Sequence, residues 1–265
     1  MPRERRFPLD LDQGGYAYLE RPNAALVSLI HTQLLEQRAA PRLLDLGCGA
    51  GANARRIREL CPGAYLAGVE PNPAAAKLAA DACDEVFEGT VANWLDGPRL
   101  TRFDAVILSD LLEHLPDPVA LLRRLLATPA LDAAAWFISV PNYAVWYNRL
   151  RTVVGRFDYA WSGLYDRTHL RFFTQRSLRR LLEHCGLEIT AERCTPSLLQ
   201  SAAPLLRQAY SAPLKAGHTL ALDESPAYHW YARWIEPAET RICGVWPALM
   251  GFQIVVSARC VRGSP

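Results

Sequence analysis

The sequence predicts an α/β fold in which helices cover both faces of a mostly parallel sheet. Three observations carry this. Short, almost wholly apolar runs alternate with helical patterns through the first two-thirds of the chain, and such alternation implies parallel strands joined by right-handed crossovers. A glycine-rich turn, Gly47-Cys48-Gly49-Ala50-Gly51, follows the first apolar run. The chain has 265 residues, half of them hydrophobic, enough for one large domain with a buried core and a small appendage.

The elements follow in order. Arg42–Leu46 is a strand and Ala50–Leu60 a helix; Ala64–Val69 is a strand, Pro73–Ala82 a helix and Glu85–Glu88 a short strand. Phe103–Leu108 and Ala134–Val140 are further strands, with helix Pro118–Ala127 between them. A sheet covered on both faces accounts for strands that are nearly all apolar rather than alternating. Beyond Pro141 the pattern changes. Residues 141–173 concentrate aromatics, among them Tyr143, Trp146, Tyr147, Phe157, Trp161 and Tyr165, which suit either stacking on a ligand or a small satellite core. Thr174 suits an N-cap for helix Gln175–Cys185, and Gly186 its stop. Leu187–Cys194 and Gly251–Val261 are the last strands.

About 50 residues separate those two strands, with helical apolar spacing at Leu198, Leu199, Ala202, Leu205 and Leu206 and an aromatic run at Tyr228, Trp230, Tyr231 and Trp234. Connections this long are seldom structureless in compact domains. This one is expected to serve as a lid and a self-association contact, which makes a homodimer an expectation. The organisation is therefore a helical cap over residues 1–40, a ligand-binding domain over 41–194 with 141–173 as a substrate loop, a helical insertion over 195–248, and a final strand and tail over 249–265.

Composition narrows the function. A net charge of +2 argues against the concentrated basic face of a nucleic-acid binder. The seven cysteines are widely spaced with no CxxC pair, which argues against a disulfide framework or zinc site and for reduced thiols in the cytoplasm. The N-terminus has no apolar leader, and the apolar runs fall short of the ~20 residues of a membrane helix, so stable membrane insertion is not expected.

At the glycine turn, the absence of side chains lets a ligand approach the backbone, and the following helix offers free N–H groups to an anion. Glu70 ends the next strand, placed to accept from two ribose hydroxyls. Gly47, Gly49 and Ala52 also satisfy the dinucleotide fingerprint GxGxxA, with Glu70 at the expected distance. Against a dinucleotide stand Asp45, where an apolar residue is usual, and the lack of a second substrate domain of ordinary size.

Taken together, Leu43-Leu44-Asp45-Leu46-Gly47-Cys48-Gly49-Ala50-Gly51, the Gly68–Pro73 segment GVEPNP, the segment FDAVILSDLLEHLPDP from Phe103 and the later DRTHLRFFT from Asp166 resemble the class I S-adenosylmethionine (SAM)-dependent methyltransferases, in a branch acting on small molecules. The resemblance runs from Tyr16 to Cys194 and includes the final strand. It implies a Rossmann-like seven-stranded sheet in the order 3-2-1-4-5-7-6 with the last strand antiparallel, and SAM as cofactor. It further implies that Asp45, Gly47 and Cys48 hold the methionine part, that Gly49 and Gly51 permit close approach, and that Glu70 grips the ribose. Pro71 and Asn72 lie beside the adenine, Thr90 and Val91 face it, and Ser109 faces the methionine moiety. Thr90 stands where relatives carry Asp.

Methyl transfer is in-line displacement, chiefly a task of orientation; a hydroxyl acceptor must also lose a proton. His169 is the leading candidate base, because ubiquinone-pathway O-methyltransferases, which this region resembles, carry a Thr-His pair here; Asp166 would orient it. Asp110, Glu113 and His114 share one face if helical, with Asp110 reaching the acceptor or sulfonium and the Glu-His pair serving as scaffold. Tyr16, Tyr18, Asn142, Tyr143, Trp146, Tyr165 and Arg171 are the candidate acceptor contacts. No spacing calls for a metal. A nucleic-acid methyltransferase would show Asn/Asp-Pro-Pro-Tyr/Phe where Ser109-Asp110-Leu111-Leu112 stands. The expected function is SAM-dependent methylation of a small molecule, a sugar or secondary metabolite with a hydroxyl acceptor favoured. The alternatives are a SAM-binding subunit without turnover and a different SAM-using displacement such as cyclisation.

Overall fold

The computed structural model describes residues 21–97, 101–160, 163–196, 230–231 and 233–261. Seven strands form one sheet: β1 (Arg42–Leu46), β2 (Tyr65–Glu70), β3 (Glu85–Glu88), β4 (Ala105–Ser109), β5 (Ala135–Pro141), β6 (Leu187–Pro196) and β7 (Gly251–Cys260). Their order is β3-β2-β1-β4-β5-β7-β6. The first five are parallel, and β7 runs antiparallel between β5 and β6. This is the order and the antiparallel last strand that the sequence implies.

Residues alternate across the sheet. Leu44, Leu46, Val106, Leu108, Trp136 and Ile138 face one apolar layer, built with α4 (Val91–Asp96), α5 (Pro118–Leu126) and α7 (Gln175–His184). Leu43, Leu66, Ile107, Phe137 and Val255 face the other, under α1 (Ala24–Ile30) and α2 (Ala52–Leu60). The helix α3 (Pro73–Ala79) follows β2. Local signals set the ends. Gly51, at φ 80°, lies outside the right-handed helical region, so α2 starts at Ala52 rather than Ala50. Asn72 accepts from Ala74 N and Ala75 N, with Pro73 at the first helical position of α3. Thr174 and Ser177 form a capping box for α7, and Gly186, at φ 85°, turns the chain into β6.

Two elements depart from expectation. The substrate loop contains a helix, α6 (Trp146–Val153), and α4 begins at Thr90 as its N-cap. The connection between β6 and β7 carries α8 (Glu236–Val245) and α9 (Pro247–Met250) among its described residues. The helical spacing from Leu198 to Leu206, and Tyr228, lie outside the described residues. Among the described residues no helix is long and apolar enough to cross a membrane.

Candidate active site

The first wall of the site begins at the carboxyl end of β1. Gly47, Gly49 and Gly51 have φ of 78°, 55° and 80°, a region closed to most side chains. Gly47 N and Cys48 N both donate to Val69 O, at 2.8 and 3.1 Å, stitching the turn to β2. Glu70 is buried; its Oε2 accepts from Gly49 N and its Oε1 from Asn72 N, each at 2.9 Å. Backbone donors thus fix the carboxylate in place. Gly68 has no room for a side chain, since a Cβ there would stand 2.6 Å from Cys48 Sγ. The Cys48 thiol hydrogen-bonds with Cys83, which together with burial pushes it far above the usual thiol range. Asp45 is buried, and neither of its oxygens has a hydrogen-bond partner among the described residues. Burial, with the nearby Glu70 charge second, pushes it up to about 7.

The second wall of the site begins after β4. Ser109 Oγ lies 3.3 Å from Ser139 Oγ. Asp110 has φ 51°, strained for a residue with a side chain and typical of functional sites. Its N donates to Ser139 O at 3.0 Å, and its Oδ2 accepts from Gln253 Nε2 at 2.6 Å. Gln253 Oε1 in turn accepts from Asn23 Nδ2 and Thr195 Oγ1, each at 3.3 Å. Burial raises Asp110 to about 6 against the opposing hydrogen bonds from Gln253 and Ser139. Leu112–His114 is a single 3-10 turn, so Asp110, Glu113 and His114 do not share a helical face as expected.

The Asp166–Arg171 segment docks on this turn: Leu170 N and Arg171 N donate to Glu113 O at 2.8 and 2.9 Å. The Glu113 side chain is buried, and neither oxygen has a hydrogen-bond partner among the described residues; burial and then the Asp110 charge push its carboxyl well above the usual range. His114 Nδ1 lies 3.1 Å from Thr168 Oγ1 and 3.3 Å from Thr168 O. The His114 and His169 rings meet edge to face at 4.8 Å between centroids. Burial lowers His114; burial and the neighbouring His114 lower His169 to about 4. Both imidazoles are therefore neutral at neutral pH. Glu113, His114 and His169 each bring a donor atom within 4.8 Å of the others, a group able to share a proton or take a cation. The sequence spacing shows no such group because the fold, not adjacency, brings His169 to the pair.

A cavity of about 1330 Å³ connects the two sides, larger than the roughly 300–1,000 Å³ of a single-ligand pocket. Gly47, Cys48, Gly49, Glu70, Pro71, Ser109, Asp110 and His114 line it, with Thr168, Thr195 and Gln253, and α8 contributes Thr240 and Cys243. Several expected contacts lie elsewhere. His169 sits behind His114, off the cavity wall. The Thr90 hydroxyl caps α4, accepting from Asn93 N at 3.1 Å, and neither Thr90 nor Val91 lines the cavity. Asn142 is fully buried, its amide spent on Ala248 O, Gly251 O and Ala144 N. Tyr143, Trp146 and Tyr165 pack with Val145 and Leu164 in a satellite core, since rings that outnumber the places on the sheet bury one another. Arg171 donates to Pro116 O and Leu170 O, tying loops together. Tyr16 and Tyr18 lie outside the described residues. Sequence reasoning missed Gln253 and Thr168. The signal for Gln253 was a lone amide in the apolar run Phe252–Val256.

A family model described as "Methyltransferase domain" matches residues 18–192. The chain belongs to that family. The class I resemblance implies SAM as its cofactor, and the buried Asp45, whose oxygens have no partner among the described residues, fits the ammonium of a methionine part. Among curated relatives, a ubiquinone biosynthesis O-methyltransferase of Rhodopseudomonas palustris strain BisA53 is 30% identical over 165 residues, 60% of this chain and 62% of that protein. Another, from Bradyrhizobium diazoefficiens, is 41% identical over 90 residues, 31% of this chain and 33% of that protein. The chain thus spans less than two-thirds of the length of each. Among solved structures, a SAM-dependent methyltransferase from Archaeoglobus fulgidus superposes with a TM-score of 0.52 at 18% identity, covering 88% of this chain and 92% of that one. The cyclase SpnF superposes at 0.53 and 21%, covering 90% and 81%. At these identities the likeness is one of fold.

Proposed function

We propose that this methyltransferase transfers the SAM methyl group to a hydroxyl of a small molecule, with His114 as the proton acceptor. The observation that carries the reading is a neutral imidazole on the wall of a two-ligand cavity, beyond Ser109 and Asp110 from the glycine turn. The relatives named O-methyltransferases support a hydroxyl acceptor. Asp45 and the Gly47–Gly51 turn would hold the methionine part of SAM and Glu70 its ribose; when bound, SAM supplies a methyl group activated by its sulfonium. Asp110, held by Gln253, lines the acceptor half, and α8 covers it as a lid. A hydroxyl is a poor nucleophile until deprotonated, so a positioned base contributes about 10²–10⁴-fold.

The test is S-adenosylhomocysteine release across a panel of phenols, catechols and sugars. His114→Ala should lower kcat by about 10²–10⁴ with S-adenosylhomocysteine affinity retained, and His169→Ala should cost less. Full activity in folded His114→Ala would overturn the assignment; no release with any acceptor would favour a binding subunit or another displacement. The grouping of Glu113, His114 and His169 favours one second reading, a cation that activates the hydroxyl. Loss of turnover in EDTA, restored by a divalent cation, would establish it.

A further inference from the structure

We infer that Thr168 and Asp166 are positioning residues that lock His114 in the tautomer protonated on Nδ1, leaving the lone pair on Nε2. Its catalytic meaning rests on the role proposed for His114; the tautomer itself rests on geometry.

Two contacts at Nδ1 fix the proton together, and the hydroxyl is the closer of them. Thr168 O, 3.3 Å away, is a backbone carbonyl and only accepts, so the contact is attractive only when Nδ1 carries hydrogen. Thr168 Oγ1, 3.1 Å from Nδ1, has a single proton. That proton is committed to Asp166 Oδ1 at 2.7 Å, because a carboxylate only accepts. The hydroxyl therefore turns a lone pair toward Nδ1 and must receive a hydrogen bond from it. The sequence Asp166, Thr168, His114 is thus polarised in one direction, with the negative charge at its far end.

The lock is built rather than incidental. Asp166 is 6% exposed, which keeps water from replacing its partner. Thr168 N donates to the same Oδ1 at 2.8 Å, and His169 N donates to Asp166 O at 3.0 Å, so the turn and the chain share one frame. The neighbouring ring obeys the same rule: His169 Nδ1 lies 3.3 Å from Leu164 O, again a carbonyl. The segment from Leu164 to His169 therefore sets both imidazoles with Nε2 as the acceptor nitrogen. Unlocked imidazole exchanges between tautomers, and a nitrogen that carries hydrogen can take neither a proton nor a cation. The lock matters equally under both readings of His114.

The test needs no acceptor. Nitrogen-15 NMR of the full chain with S-adenosylhomocysteine bound, at pH 8, resolves which ring nitrogen is protonated in each of its six histidines; loss of one pattern in His114→Gln assigns it. His114 should show Nδ1 protonated, Thr168→Val should mix the tautomers, and Thr168→Ser should restore a single one. With catechol as the acceptor probe, Thr168→Val should lower kcat about 10–100-fold with KM unchanged, and Thr168→Ser should recover most of it. Protonation on Nε2 in the wild-type chain, a measurement that requires no variant to fold, would overturn the inference. So would a Thr168→Val variant with wild-type tautomer or wild-type kcat. A locked tautomer together with an active His114→Ala variant would instead sink the base assignment and leave the lock standing.

Discussion

Replacing Asp45 by Asn separates stability from cofactor binding. Burial holds this carboxyl at about 7, against an ordinary 3.8. At pH 8 the ionised group therefore costs the folded chain about 4 kcal/mol. Because the folded value is raised, the group's contribution to stability is most favourable below the unfolded value near 4. It declines as pH rises and is fully lost above 7. Asn removes the charge but leaves a buried amide without partners, which costs about 1–3 kcal/mol. The net expectation at pH 8 is a variant about 1–3 kcal/mol more stable than the parent, or roughly 2–10 °C in melting temperature for a domain of this size. At pH 5 Asp45 is protonated in the folded chain, and the advantage shrinks by about 3 kcal/mol. The parent should take up S-adenosylhomocysteine with release of a proton near pH 7, and the variant should bind it weakly or not at all. Thermal melts at both pH values, with and without S-adenosylhomocysteine, measure all of this. A variant that melts with the parent at pH 8, or binds as tightly, would refute the reasoning.

Glu70→Ala should weaken S-adenosylhomocysteine at least tenfold in calorimetry, since hydrogen bonds to a charged group contribute about 1.5–3 kcal/mol; an unchanged dissociation constant in a folded variant would remove Glu70 from the cofactor site. Gly68→Ala places a methyl 2.6 Å from Cys48 Sγ and should cost about 1–3 kcal/mol by overpacking. Adding Cys48→Ala should restore most of the melting temperature, and failure of that rescue would show the clash lies elsewhere.

The centre of the sheet was legible in the sequence because β1, β2, β4 and β5 are compact, largely apolar runs; Thr174 and Gly186 bracket α7 where expected. The turn at Gly47–Gly51 and Glu70 was legible for the same reason, since its geometry is local. The wall beyond β4 was legible only at Ser109 and Asp110. His114, Thr168 and Gln253 come from three distant parts of the chain, and nothing in the spacing of any one announces the others. The aromatic segment misled because residue type does not show which way a ring points: Tyr165 is buried against Asn148 and its neighbours rather than presented to a ligand.

The place of β7 has a consequence for how the molecule is made. It lies between β5 and β6, so β6 cannot join the sheet until β7, made after it, slips in beside it. The Gly47–Gly51 turn and Glu70 draw on β1 and β2, neighbours both in the chain and in the sheet. Asp110 waits for Gln253 to reach across and seat it. Pairings so distant along the chain close late. An emerging chain therefore holds the Gly47–Gly51 turn against Glu70 before Asp110 is seated. Completion of the sheet and seating of Asp110 are a single event, and a ribosome-bound intermediate that lacks β7 should show the glycine turn with neither.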